Sequence, residues 1–226
     1  MMLGRRRALL GTVAAAAGLA AQHDAKAGAQ TEEPLADAVR SALSASIDSA
    51  APPRPHFEQT EERMRYLRWL SAMSQRLQRR KSDDRTRDDF LQTLWYEAAR
   101  ARLEPDLVLG LVQVESGFRK YAISSAGARG YMQVMPFWSR VIGDGDAARL
   151  FHMQTNLRFG CVILRHYLDR EQGDLFMALG RYNGSRGRAE YPAAVFAARK
   201  RWEVDPKPDP KPDSKPAIQP DAKPRV

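Results

Sequence analysis

Cys161 is the only cysteine in 226 residues, so the chain can form no internal disulfide, and the thiol is not placed where a lipid-attached cysteine would follow a leader. Its expected place is that of a small core hydrophobe. The four histidines, His23, His56, His152 and His166, show no ligand spacing; Cys161 and His166 are five apart, an offset that does not align side chains on one helical face. No metal and no other cofactor is expected. Long apolar runs are also missing. The stretch from Ala8 to Ala21 has about 14 residues, short of the roughly 20 that a spanning helix needs, so no stable membrane span is expected. Sustained apolar/polar alternation is absent too, which excludes a domain built on half-buried strands. Finally, no Asp or Glu occurs from Ser116 through Gly143.

What is plentiful lies partly at the ends. Arg5, Arg6 and Arg7 precede the Ala8–Ala21 run, and Ala25-Lys26-Ala27 offers small residues for cleavage, the pattern of a secretory signal peptide over residues 1–27. Residues 28–59 carry Pro34, Pro52, Pro53 and Pro55 among Ala, Ser and Gln, too little large apolar surface to offset chain entropy, and are expected to be a linker. Residues 203–226 repeat Lys-Pro and Asp-Pro and are expected to form an extended, solvated tail. A single globular domain over residues 60–202 remains, flanked by flexible extensions. The net charge of +9 would ordinarily raise nucleic acid as a partner, but an exported chain does not meet it; an anionic polymer outside the cytoplasm suits the charge equally.

Within the domain, apolar residues recur at steps of three and four, so the fold class is all-α. Met64, Leu67, Leu70 and Leu77 predict a helix over 60–80, and Phe90, Leu94, Ala98 and Ala101 a second near 86–102. Pro105 suits the first position of a third, where its missing N–H costs nothing. Further helices are predicted over 156–170, from an Asp174 N-cap to Tyr182 with Gly184 as the stop, and from Pro192 to near Trp202.

The third helix carries an anomaly. Leu107, Val108, Leu111, Val112 and Val114 mark its buried stripe, and Glu115 lies on the same stripe, four residues after Leu111. A carboxyl there either turns outward at the helix end or is buried, and burial would raise its pKa above the usual value of about 4.3 and keep its proton near neutrality, as a general acid requires. After it come Ser116-Gly117-Phe118 and a loop of small residues, then Tyr131-Met132-Gln133-Val134-Met135-Pro136 ahead of another helix.

Glu115-Ser116-Gly117-Phe118, Ser124 with Gly127-Ala128, Gly130-Tyr131-Met132-Gln133 and Arg181-Tyr182-Asn183-Gly184 occur in the order and spacing of the lytic transglycosylase catalytic domain, which is shared with goose-type lysozymes, and residues 90–202 resemble that family. The resemblance implies a lysozyme-like fold, Glu115 as the catalytic residue, and substrate contacts from Ser124, Gly130, Tyr131, Met132, Gln133, Tyr182 and Asn183. Each contact residue has a structural alternative: Ser124 as a turn cap, Gln133 as a backbone partner, Tyr182 and Met132 as core. Tyr131 and Arg181 depart from the family's usual leucine and small residue.

The implied substrate is the peptidoglycan glycan strand, cut between N-acetylmuramic acid and N-acetylglucosamine to leave a 1,6-anhydro end, in the periplasm and by a monomer. Most glycosidases need two carboxylates, and the acid-free stretch after Glu115 favours a route with one. Asp144, Asp146 and Glu190 remain as partners that could fold back. A water-using muramidase and a silent wall-binding protein of a secretion or appendage assembly stand as alternatives.

Overall fold

Helix α4, Pro105–Ser116, is apolar on nearly all sides: Leu107, Val108, Leu109, Gly110, Leu111 and Val112 are all buried, and such a helix must be enclosed rather than laid on a surface. The computed structural model describes residues 30, 32, 34, 35, 37–48 and 57–204, and in it α4 packs chiefly against α8 and α3. In chain order they are α1 (Asp37–Asp48), α2 (Thr60–Leu77), α3 (Asp84–Arg100), α5 (Phe137–Ile142), a 3-10 turn (Ala147–Phe151), α6 (Met153–Arg170), α7 (Leu175–Asn183) and α8 (Glu190–Arg199). The described residues contain no strand, only isolated bridges from Arg129 to Ile123 and Val134. The expected signal peptide (1–27) lies outside them, as does the expected tail beyond Val204.

The ends of the helices follow their local chemistry. Pro105 begins α4 as expected, and Gly117, in the left-handed region at φ 57°, ends it with its N–H bonded to the Gln113 carbonyl at 3.1 Å. Asp174 caps α7, accepting from Met177 N at 3.0 Å, and Gly184 at φ 79° terminates it. Two predicted starts shift: α6 begins at Met153 rather than Asn156, and α8 at Glu190, which puts Pro192 inside its first turn.

Gly110 decides how close α8 comes. A Cβ built there would lie 2.8 Å from the Arg199 backbone nitrogen, so the two helices touch through backbone. Gly160 on α6 instead admits a side chain from the loop, since a Cβ there would meet Met132 Sδ at 2.3 Å. Farther out, α2 docks on α3 through Trp69 and Trp95, with ring centroids 4.7 Å apart.

Residues 28–59 differ from the expectation of a linker, since α1 lies within them. Leu35, Val39, Leu43 and Ile47 recur every four residues and pack against the core, a stripe that the Ala- and Ser-rich composition conceals. A buried ion pair holds its end. Glu97, 1% exposed, accepts from Arg158 Nε at 3.1 Å and Nη2 at 3.0 Å, and Arg158 Nη1 donates to the Ile47 carbonyl at 3.1 Å. Cys161 is buried as expected, and desolvation, with Glu97 adding to it, holds its thiol protonated. No described helix is long and apolar enough to cross a membrane.

Because the atoms facing Gly110 are backbone, Gly110→Ala can be relieved only by moving α8. The substitution should destabilise the protein by about 1–3 kcal/mol in urea unfolding, whereas the same change at Gly127, which has open space but φ 86°, should cost about 1 kcal/mol.

Candidate active site

Glu115 comes off the last turn of α4 and faces inward, 8% exposed. The possibility that it turns out to water is therefore not realised. One carboxyl oxygen, Oε1, accepts a hydrogen bond from the Tyr191 hydroxyl on α8, and the other, Oε2, is buried and has no partner. Desolvation pushes the Glu115 pKa up to about 8, against a smaller downward pull from the Tyr191 hydrogen bond, so the group carries its proton at neutral pH. No acidic neighbour contributes to that shift. Asp144 is instead paired with Arg149, Asp146 caps the 3-10 turn through Ala148 N at 2.8 Å, and Glu190 is exposed at the start of α8.

Tyr182 reaches the site from α7. Its hydroxyl donates to the Met132 carbonyl at 2.8 Å, and burial followed by the nearby Glu115 charge raises its pKa well above the ordinary value. Tyr191 is raised similarly, by burial and then by Glu115, so both phenols remain donors. The Tyr182 carbonyl in turn accepts from the amide of Gln30, whose oxygen takes the Trp138 Nε1 proton at 2.7 Å. Thus Gln30 braces the wall that Tyr182 belongs to.

The loop after α4 is folded on itself by short-range bonds. Ser124 Oγ accepts from Ala128 N at 3.1 Å, and Gln133 Nε2 donates to the carbonyls of Gly130 at 2.9 Å and Ala122 at 3.1 Å. Gly130 sits at φ 76° where a Cβ would meet Asn156 Nδ2 at 2.4 Å. Met132 is fully buried, and its N–H donates to Asn156 Oδ1 at 2.8 Å. The Tyr131 ring is buried, its hydroxyl accepts from Lys81 Nζ at 2.7 Å, and burial pushes its pKa up to about 12. Asn183 donates to Ser185 Oγ at 3.0 Å while its own Oδ1 is buried without a partner. Arg181 is drawn away to Glu171, which also binds Arg186 and is held down at about 2 by these two guanidinium groups.

A protonated carboxyl with one committed and one uncommitted oxygen, walled by two phenols, is built for proton transfer. The transglycosylase SLT domain model matches residues 93–204. Over these residues the chain belongs to that family. Similar proteins include the transglycosylase of Enterobacteria phage PRD1, 35% identical over 102 residues that cover 45% of this chain and 37% of the phage protein. Another is the membrane-bound lytic murein transglycosylase C of Actinobacillus pleuropneumoniae serotype 5b (strain L20), 40% identical over 75 residues, 30% of this chain and 20% of that protein. The chain thus matches well under half the length of these relatives. A crystal structure of an inactive mutant of the lytic transglycosylase Slt from Pseudomonas aeruginosa aligns with 57% of this chain and 23% of its own, at 25% identity and a TM-score of 0.40.

Within the SLT domain the sequence-predicted residues divide into two groups. Glu115, Tyr182 and Met132 converge by direct contact or field. Ser124, Gly130, Tyr131 and Gln133 have side chains or backbone committed to holding the loop. Tyr191, the one side chain bonded to Glu115 among the described residues, lies in none of the family motifs. A signal existed: Tyr191 shares a stripe with Val195, Ala198 and Trp202, all buried, and a buried phenol needs a partner just as a buried carboxyl does.

Tyr191→Phe removes the interaction that favours ionised Glu115. The Glu115 pKa should then rise above about 8, which a carboxyl-carbon NMR titration would show; an unchanged midpoint would mean that the phenol does not act on the carboxyl in solution.

Proposed function

We propose that the protein is a peptidoglycan lytic transglycosylase in which Glu115 serves first as acid and then as base. The observation that carries this reading is the carboxyl itself: protonated near neutrality, with Oε2 uncommitted and no second acid acting on it. Glu115 gives its proton to the oxygen joining N-acetylmuramic acid to N-acetylglucosamine. The muramyl N-acetyl group stabilises the charge that grows at the anomeric carbon. Ionised Glu115, still receiving the Tyr191 hydrogen bond, then takes the proton of the sugar's own 6-hydroxyl, and that oxygen closes the 1,6-anhydro ring.

An intramolecular hydroxyl has a large advantage over water, since effective molarities of well-placed groups reach about 10⁵–10⁸ M. Favouring it requires that water be kept from the anomeric carbon, and the enclosed wall of Tyr182, Tyr191 and Met132 supports that. In this reading the free Asn183 Oδ1 accepts from an N-acetyl N–H, and Ser124, Gly130, Tyr131 and Gln133 shape the sugar-facing backbone of the loop. Export to the periplasm through residues 1–27 places the enzyme with its polymer, where its work is wall remodelling, including local clearance for an envelope-spanning secretion or appendage assembly.

Purified peptidoglycan digested with the mature protein should give anhydro-muropeptides by mass spectrometry, and Glu115→Gln should give none; water-added reducing ends would show a muramidase instead. Turnover should fall as pH rises through about 8, because the acid must hold its proton when the bond breaks.

A further inference from the structure

Large hydrophobic side chains are exposed at five described positions, and two of them, Tyr121 at 71% and Ile123 at 65%, lie three residues or fewer from Ser124. Single exposed hydrophobics are ordinary, but a pair beside a binding site is not. Tyr121 also meets a second ring. Its centroid is 5.9 Å from that of Phe151 in the 3-10 turn, tilted by 49°. Cations border both rings: Lys120 Nζ is 5.1 Å from the Tyr121 centroid, and the Arg129 guanidinium is 5.5 Å from that of Phe151. Arg129 is fixed by its bond to the Ala147 carbonyl at 2.8 Å, whereas Lys120 has no acidic partner among the described residues.

The base under these rings is rigid. The Ala122 carbonyl, between Tyr121 and Ile123, accepts from Gly130 N at 2.9 Å and from Gln133 Nε2 at 3.1 Å. Three residues extend at most about 11 Å, so the rings stand within a short oligosaccharide's reach of Ser124.

We propose that Tyr121 and Phe151 form a stacking platform for a sugar ring of the glycan strand away from the bond being cut, and that Lys120 meets a carboxylate of the peptide which that strand carries. The apolar C–H face of a pyranose packs on an aromatic ring, and a rigid exposed ring surrenders little entropy in doing so. The ammonium beside Tyr121 adds the charge that a peptide-bearing strand complements. This inference rests on the proposed glycan substrate and extends it to an outer contact beside Ser124.

The test uses the Glu115→Gln protein, which can hold the polymer without cutting it, in pelleting assays with intact peptidoglycan and with glycan stripped of peptide by an amidase. Adding Tyr121→Ala should weaken binding to both by about three- to tenfold, the worth of one aromatic contact, and Tyr121→Trp should restore it. Lys120→Gln should weaken binding to the peptide-bearing polymer alone, by about two- to fivefold. Unchanged affinity in Tyr121→Ala, or a loss that Trp does not repair, would overturn the platform; equal loss on both polymers from Lys120→Gln would overturn the carboxylate contact. If Glu115→Gln binds neither polymer, both this inference and the proposed substrate fail. The binding pattern with no anhydro ends from the parent enzyme would sink only the proposed reaction.

Discussion

The burial of one carboxyl between α4 and α8 sets the terms for the rest of the molecule. An ionised glutamate in that position would be costly, and the protein meets the cost by leaving the group protonated and giving it one phenolic donor rather than a cation. A guanidinium there would have stabilised the carboxylate and removed the acid. Several arginines are bound to other acids: Arg181 and Arg186 to Glu171, and Arg199 to Asp106 at 2.9 Å. No cation contributes to the Glu115 shift.

For that carboxyl to stay put, α8 must stay close to α4, and small residues and end contacts secure this. Gly110 admits the Arg199 backbone, and Trp202, just past α8, donates to Gln113 Oε1 at 3.1 Å and packs edge-on against Phe118 with centroids 5.2 Å apart. The opposite wall is a loop with almost no regular structure, made firm by side-chain amides that bond inward. Gln133 sits at φ 48° and Phe118 at φ 69°, left-handed positions unusual for such residues, and the bonds from Gln133 to Gly130 and Ala122 hold the first of them in place. Backbone conformation of this kind is retained where a surface must keep a particular shape.

The sequence showed the helices with long apolar stripes and clear ends, since α2, α3, α4 and α7 are set by local periodicity, caps and glycines. It showed Glu115 because a charged residue on a buried stripe breaks a local rule. It concealed α1, whose four-residue stripe is thin and embedded in Ala and Ser, and it concealed the Glu97–Arg158 pair, which joins residues 61 apart. Tyr191 was hidden for the same reason: 76 residues separate it from Glu115, and only the packing of α8 on α4 brings them together. The family motif singled out Gln133 and Tyr131, but not the partners that hold them: the Ala122 and Gly130 carbonyls for Gln133, and Lys81 for Tyr131.

Arg76 of α2 donates to the carbonyls of Arg201 and Glu203, both at 2.9 Å, so the segment that follows α8 is tied to α2. That clamp lies just past α8, and so also secures the end of the helix that carries Tyr191, the one donor to Glu115 among the described residues.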